Sequence, residues 1–254
     1  MNVVILAGGL GSRLAEETEA RPKPMVEIGG RPILWHIMRH YWHHGFDNFF
    51  ITLGYKGESI KRYFWDYFHL NGDLSFNFAE KKVEGALNPT EDWKLSLIDT
   101  GQSTMTGGRV KRLQPWLEKE PFMLTYGDGV SNVDLSELYK FHRSCGRLAT
   151  ITAVRPPARF GGLEFENNLV SKFIEKPQIG EGWINGGFMV FEPQVLDYIE
   201  GDETILESGI LEKLADEGQL AAYRHDGFWQ CMDTIRDKRY LETLWQSNQI
   251  QWTI

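Results

Sequence analysis

A chain of 254 residues with 42% hydrophobic and 24% charged side chains has the composition of a folded protein with a sizeable core, which excludes a disordered or fibrous chain. A formal net charge of −8 excludes a general nucleic-acid binder, and no apolar run reaches the roughly 18 residues of a membrane helix. Two cysteines, Cys145 and Cys231, give no disulfide framework, and the opening MNVVILAGG lacks the regions of a secretion signal, so a reducing, cytoplasmic setting is expected.

Strand and helix patterns alternate along the chain. NVVILA at 2–7 is an apolar run stopped by Gly8 and Gly9, a buried first strand. A helix is expected from Pro32, whose fixed φ suits a first helical position, with Ile33, Leu34, Ile37, Met38, Tyr41 and Trp42 on one stripe. His36, His40 and His43 fall opposite that stripe and read as a solvated or subunit-contacting face. FFITL at 49–53 is the second strand, and the next helix carries Ile60, Tyr63, Phe64, Tyr67 and Phe68 on one side.

Between 71 and 108 the pattern loosens, and we read an excursion from the sheet with short strands near 74–78 and 95–99. FMLTY at 122–126 returns to the sheet, and 148–154 and 187–191 are further strands. Asp134 with Glu137, and Thr204 with Glu207, predict capping boxes. Ile235, Leu241, Leu244 and Trp245 mark a closing amphipathic helix, and the tryptophans at 35, 42, 65, 245 and 252 are assigned to packing or oligomer contacts. The alternation predicts an α/β, Rossmann-like three-layer fold, a mostly parallel mixed sheet covered by helices, in one domain over 1–254.

The segment LAGGLGSRL (Leu6, Ala7, Gly8, Gly9, Leu10, Gly11, Ser12, Arg13, Leu14) leaves the first strand with three glycines in four positions. Such a loop lets backbone N–H groups approach a phosphate closely. It is not a Walker A loop, because Arg13 stands where Gly-Lys-[Ser/Thr] should end, and Leu14 breaks the dinucleotide fingerprint, which disfavours an oxidoreductase. Downstream, RPKP places Arg21 and Lys23 before prolines in a stiff segment. Asp128 closes an apolar strand in TYGDG, and Asp233 lies in GFWQCMDT more than a hundred residues on. Read alone, either aspartate is more often a turn residue or a helix cap, Asp233 for the helix starting near Thr234.

LAGGLGSRL followed by RPKPM resembles the signature of the sugar nucleotidylyltransferase family, and LIDTG, MTGGR, TYGDG, RFGGLEF, FIEKP, INGGF and GFWQCMDT extend the resemblance over nearly the whole chain. Ser12 stands where threonine is commoner in that family, with the hydroxyl kept. The resemblance implies a glycosyltransferase-A-like nucleotidyltransferase fold and, within the family, transfer of a cytidylyl group from CTP to glucose 1-phosphate. The product would be CDP-glucose for deoxysugar synthesis, as in lipopolysaccharide or O-antigen assembly. It also implies Mg²⁺ held by Asp128 and Asp233, no nucleic-acid or membrane partner, and a homo-oligomer, a hexamer being the expectation.

On this resemblance Leu6–Leu14 residues up to Arg13, together with Lys23, Thr104, Arg109 and Asp128, bind the nucleotide, with Arg13 and Lys23 catalytic. Glu175, Lys176, Asn185 and Gly186 bind the sugar phosphate. Gly107 and Gly108 would allow close backbone approach to the base, and Arg109 would reach a phosphate or ribose. The alternatives are transfer from UTP or dTTP, and a catalytically silent regulatory relative.

Overall fold

The computed structural model describes residues 1–9, 14–18, 21–70, 72–87, 91–156, 162–166, 169–174 and 182–252. Its centre is an eight-stranded sheet. From one edge the strands run Leu220–His225, Ala149–Val154, the pair Ile184–Asn185 and Met189–Phe191, then Phe122–Tyr126, Asn2–Leu6, Asn48–Leu53 and Lys94–Asp99. Every pairing is parallel except those of Ile184–Asn185, antiparallel to Ala149–Val154, and of Met189–Phe191, antiparallel to both Ala149–Val154 and Phe122–Tyr126.

The first strand is apolar throughout because both faces are covered. Val3 and Ile5 join a core with Ile37, Tyr41, Phe64, Leu138 and Leu241 from the helices Ile33–His43, Gly57–Leu70, Leu135–Cys145 and Ile235–Gln246. Val4 and Leu6 join a second core on the opposite face, with Val110, Leu113, Leu196 and Ile210. Two cores across one sheet make the expected three layers.

Four expectations need correction. Lys94–Asp99 is the edge strand of the main sheet, paired in parallel with Asn48–Leu53, so the excursion shrinks to the hairpin Gly72–Asn77 and Lys82–Leu87. The helix begins at Ile33, because Arg31–Pro32 first pairs with Glu27–Ile28. His36 and His40 are 0% and 2% exposed, with only His43 open to water. The His36 ring is met edge-on by Trp245 and Trp252 from the far end of the chain, and the His40 ring by Phe188 and His44. His36 Nε2 donates to the Ile28 carbonyl at 2.9 Å and Nδ1 accepts from Trp252 Nε1 at 3.3 Å. Burial above all holds His36 neutral and pushes its pKa down to about 4, and that of His40 to about 3.

The capping boxes also differ. Asp134 accepts from the Ser136 and Glu137 amides, but the Glu137 carboxylate turns to Lys140 at 2.7 Å. Thr204 Oγ1 accepts from Gly201 N, and the Glu207 carboxylate leaves its own turn for Thr106 and Tyr126. At Glu207 a tertiary partner has won over the local one, and at Glu137 a local ion pair has.

Candidate active site

In an open α/β sheet, ligands collect beyond the carboxyl ends of the strands where the chain reverses its order of addition. Here that point lies between Asn2–Leu6, which continues to Asn48–Leu53 on one side, and Phe122–Tyr126 on the other. Two clefts open there. The first, about 640 Å³, is lined by residues 6–9, Lys23, Pro24, residues 102–106, Arg109 and residues 126–128. The second, about 580 Å³, includes Tyr126, Asp128, Asn185, Gly186, Glu207, Trp229 and Asp233. Tyr126 and Asp128 belong to both.

Asp128 and Asp233 converge because the short strands Gly129–Ser131 and Trp229–Cys231 pair antiparallel, opposing Gly129 to Cys231. Met232 N donates to the Asp128 carbonyl at 2.8 Å and closes that end. The helix after Asp233 is capped by Thr234, in a full capping box with Asp237. The Asp233 carboxylate is therefore not the cap and reaches Lys23 at 2.6 Å, while Asp128 meets the same ammonium at 2.5 Å.

Lys23 sits in the tight turn Lys23–Met25, entered from extended Pro22 with Pro24 next, and is 9% exposed. A buried lysine between two carboxylates is not a surface-turn residue. Burial works to depress its pKa, but Asp128 and Asp233 outweigh it and hold the ammonium above the ordinary lysine value. Beside them burial pushes the Cys231 thiol up to about 12, so it is no nucleophile at neutral pH.

Arg109 is placed differently from the expectation. It is 4% exposed and lies beneath the glycine loop, where a Cβ on Gly8 would fall 2.2 Å from its Nη1. Nη1 donates to the Leu53 carbonyl at 2.9 Å and Thr100 Oγ1 at 2.7 Å, and Nη2 to the Gly8 and Gln102 carbonyls at 3.1 and 3.3 Å. The Leu53 and Gly8 carbonyls also accept from the Thr100 and Tyr55 amides, so the guanidinium adds a second donor at each and ties segments that end three parallel strands. The guanidinium thus staples the strand ends together, and its charge faces the cleft with both terminal nitrogens already engaged.

The neighbouring glycines also serve packing. A Cβ on Gly107 would lie 2.7 Å from the Thr204 carbonyl, and one on Gly108 would lie 2.6 Å from the Asp202 backbone, so both admit the 201–204 loop, not a base. Gly186 lies against Val154, and Asn185-Gly186 interrupts a strand instead of turning a hairpin. Leu6, Ala7, Gly8, Gly9, Lys23, Thr104, Arg109 and Asp128 line the first cleft, and Asp128, Asn185, Gly186 and Asp233 the second. Leu10, Gly11, Ser12, Arg13, Glu175 and Lys176 lie outside the described residues.

The sequence reading gave no site role to Tyr126, Glu207 or Trp229. Tyr126 donates to Glu207 Oε1 at 2.6 Å, and Trp229 Nε1 to the Gly186 carbonyl at 2.7 Å. Tyr126 stood in plain view inside TYGDG, two residues before Asp128.

A family model described as nucleotidyl transferase matches residues 2–237. The chain is 50% identical to glucose-1-phosphate cytidylyltransferase of Salmonella typhi over 253 residues, covering 99% of this chain and 98% of the relative. It is 41% identical to a probable glucose-1-phosphate cytidylyltransferase of Bacillus subtilis (strain 168), over the whole of both chains. The crystal structure of HddC from Yersinia pseudotuberculosis superposes with a TM-score of 0.72 at 23% identity, covering 96% of this chain and 99% of that one. That likeness is one of fold.

Proposed function

Since the chain belongs to the nucleotidyl transferase family, we propose that it transfers the cytidylyl group of CTP to glucose 1-phosphate, giving CDP-glucose and pyrophosphate. The observation that carries the chemistry is a pair of clefts joined at Asp128, with the buried Lys23 ammonium at the junction. One cleft takes the triphosphate and the other the sugar phosphate.

The sugar phosphate has a second pKa near 6 and is largely dianionic at neutral pH, so it needs no general base. It attacks the α-phosphorus in line, the bond to the β-phosphate oxygen breaks, and pyrophosphate leaves. Two polyanions must meet, so positioning and electrostatics dominate. Lys23 lies between the clefts and neutralises charge on the α-phosphate and the incoming phosphate. Gly8 and Gly9 let the triphosphate approach the strand ends, Arg109 adds buried positive charge beneath them, and Arg13 meets the β- and γ-phosphates.

Asp128 and Asp233 suit Mg²⁺: they supply two hard oxygens converging on one cation, which in this structure is the Lys23 ammonium. Among the described residues no third His, Cys, Asp or Glu joins them. One or two carboxylates with substrate phosphates and water is how this ion is usually held. When bound, Mg²⁺ supplies Lewis-acid neutralisation of phosphate charge. The same reading includes a homo-oligomer, supported by Trp65, Phe68 and Phe78, which one chain leaves exposed.

The test is pyrophosphate release from CTP, UTP and dTTP with glucose 1-phosphate. The highest kcat/KM is expected for CTP. A clear UTP or dTTP preference keeps the reaction class and overturns the cytidylyl assignment, and no release with any triphosphate leaves the silent relative.

A further inference from the structure

The second cleft contains a hydrogen-bond chain that no step above uses. Glu207 has both carboxylate oxygens engaged by protein hydroxyls: Tyr126 Oη donates to Oε1 at 2.6 Å, and Thr106 Oγ1 to Oε2 at 2.8 Å. Thr106 is pinned in turn, its Oγ1 accepting from Leu206 N at 2.9 Å. Asn185 Nδ2 approaches Tyr126 Oη at 3.4 Å, and Asn185 Oδ1 accepts from Gly187 N at 3.0 Å.

A phenol has one proton to give, and at Tyr126 it is committed to Glu207. Toward a ligand the oxygen can then only accept. We propose that Glu207 is a positioning residue for sugar specificity: by holding the Tyr126 proton, it makes Tyr126 an obligate acceptor that selects a hydroxyl-bearing sugar at the contacted carbon. The inference rests on the assignment of this cleft to the sugar phosphate. A polar group built to receive a donor rejects an analogue without one, because the acceptor is then buried unpaired. Replacing the carboxylate by an amide reverses the logic: the amide donates to Tyr126, and the freed phenol proton turns toward the ligand.

The experiment measures kcat and KM for glucose 1-phosphate and its monodeoxy-monofluoro analogues, one per sugar hydroxyl, since fluorine cannot donate. In the wild type one analogue should lose about tenfold or more in kcat/KM, the size of one buried donor lost. Glu207→Gln should shrink that preference to about twofold, raise KM for glucose 1-phosphate and leave KM for CTP within about twofold. Tyr126→Phe should do the same, and the double variant should add little to the worse single one. Thr106→Ala, which leaves the carboxylate and the phenol in place, should keep the preference.

Glu207→Gln with the wild-type hydroxyl preference overturns the inference while the cytidylyl transfer stands. So does an equal rise in both KM values with a fall in Tm, which a merely structural residue would give. A wild type that turns over no glucose 1-phosphate removes the sugar assignment, and the inference falls with it.

Discussion

The two clefts meet at Asp128 but are built in opposite ways. The first cleft, proposed for the nucleotide, is made from consecutive backbone at strand ends, with residues 6–9 and 102–106 tied from below by Arg109. The second, proposed for the sugar phosphate, is made from single side chains at 126, 185, 207 and 229, each fixed by a partner far away in sequence. A run of backbone is specified by a local motif, whereas a side-chain chain exists only once the whole sheet has formed. Damage should therefore be graded: loss at the junction stops both substrates, loss under the glycine loop affects one, and loss below both weakens them together.

The largest effect is expected at the junction. Lys23→Gln should lower kcat by about a hundredfold or more, the size of one preorganised electrostatic contact removed, with Tm little changed. A loss below about threefold would show that the junction is not where the two substrates are reconciled. Asp128→Ala and Asp233→Ala should each remove most turnover while the fold survives, because Thr234 and Asp237 cap the last helix without help from Asp233. Near-native rates with Mg²⁺ in both variants would dismiss the shared-carboxylate assignment.

Arg109→Lys separates the two clefts. An ammonium cannot span the Leu53, Thr100, Gly8 and Gln102 oxygens together, so the loop loses its tie to the strand ends and KM for CTP should rise about fivefold to tenfold, the size of one or two charged hydrogen bonds lost. KM for glucose 1-phosphate should hardly move. Equal changes in both would show that the strand-end staple supports the whole site.

Acid is the mildest probe. His36 and His40 are neutral in the fold with pKa values near about 4 and about 3, and ionise once unfolded near the ordinary 6.5. A depressed histidine binds its proton preferentially in the unfolded state. Stability is therefore full above about pH 6.5 and is lost as pH falls toward those folded values, by roughly 3 kcal/mol at His36 and roughly 5 kcal/mol at His40. Denaturant unfolding between pH 7 and 4 should show that slope, and His36→Gln should flatten it. A pH-independent midpoint would place these rings in water.

What the sequence reveals follows the same division. Lys23, Asp128 and the described part of the glycine loop are legible because stiff or glycine-rich stretches at strand ends dictate their own geometry. Glu207 is not, since Thr204 with Glu207 satisfies a local capping pattern and its true partner, Tyr126, is 81 positions away. His36 and His40 mislead for a related reason: a helical wheel identifies the second face but not what covers it, Trp245 and Trp252 at His36 and Phe188 at His40. Lys94–Asp99 is recognisable as a strand, yet only pairing with Asn48–Leu53 places it in the main sheet.

Lys23 and Asp233 are 210 positions apart, and the last strand of the sheet ends at His225. During synthesis every strand of the central sheet is therefore made before the second carboxylate. The same late segment carries Met232, Leu241, Leu244 and Trp252 into the core on one face of the sheet. A nascent chain stalled between those points therefore has Lys23 facing Asp128 alone and that core still open, so closure of the core and completion of the charged cluster wait for one C-terminal stretch.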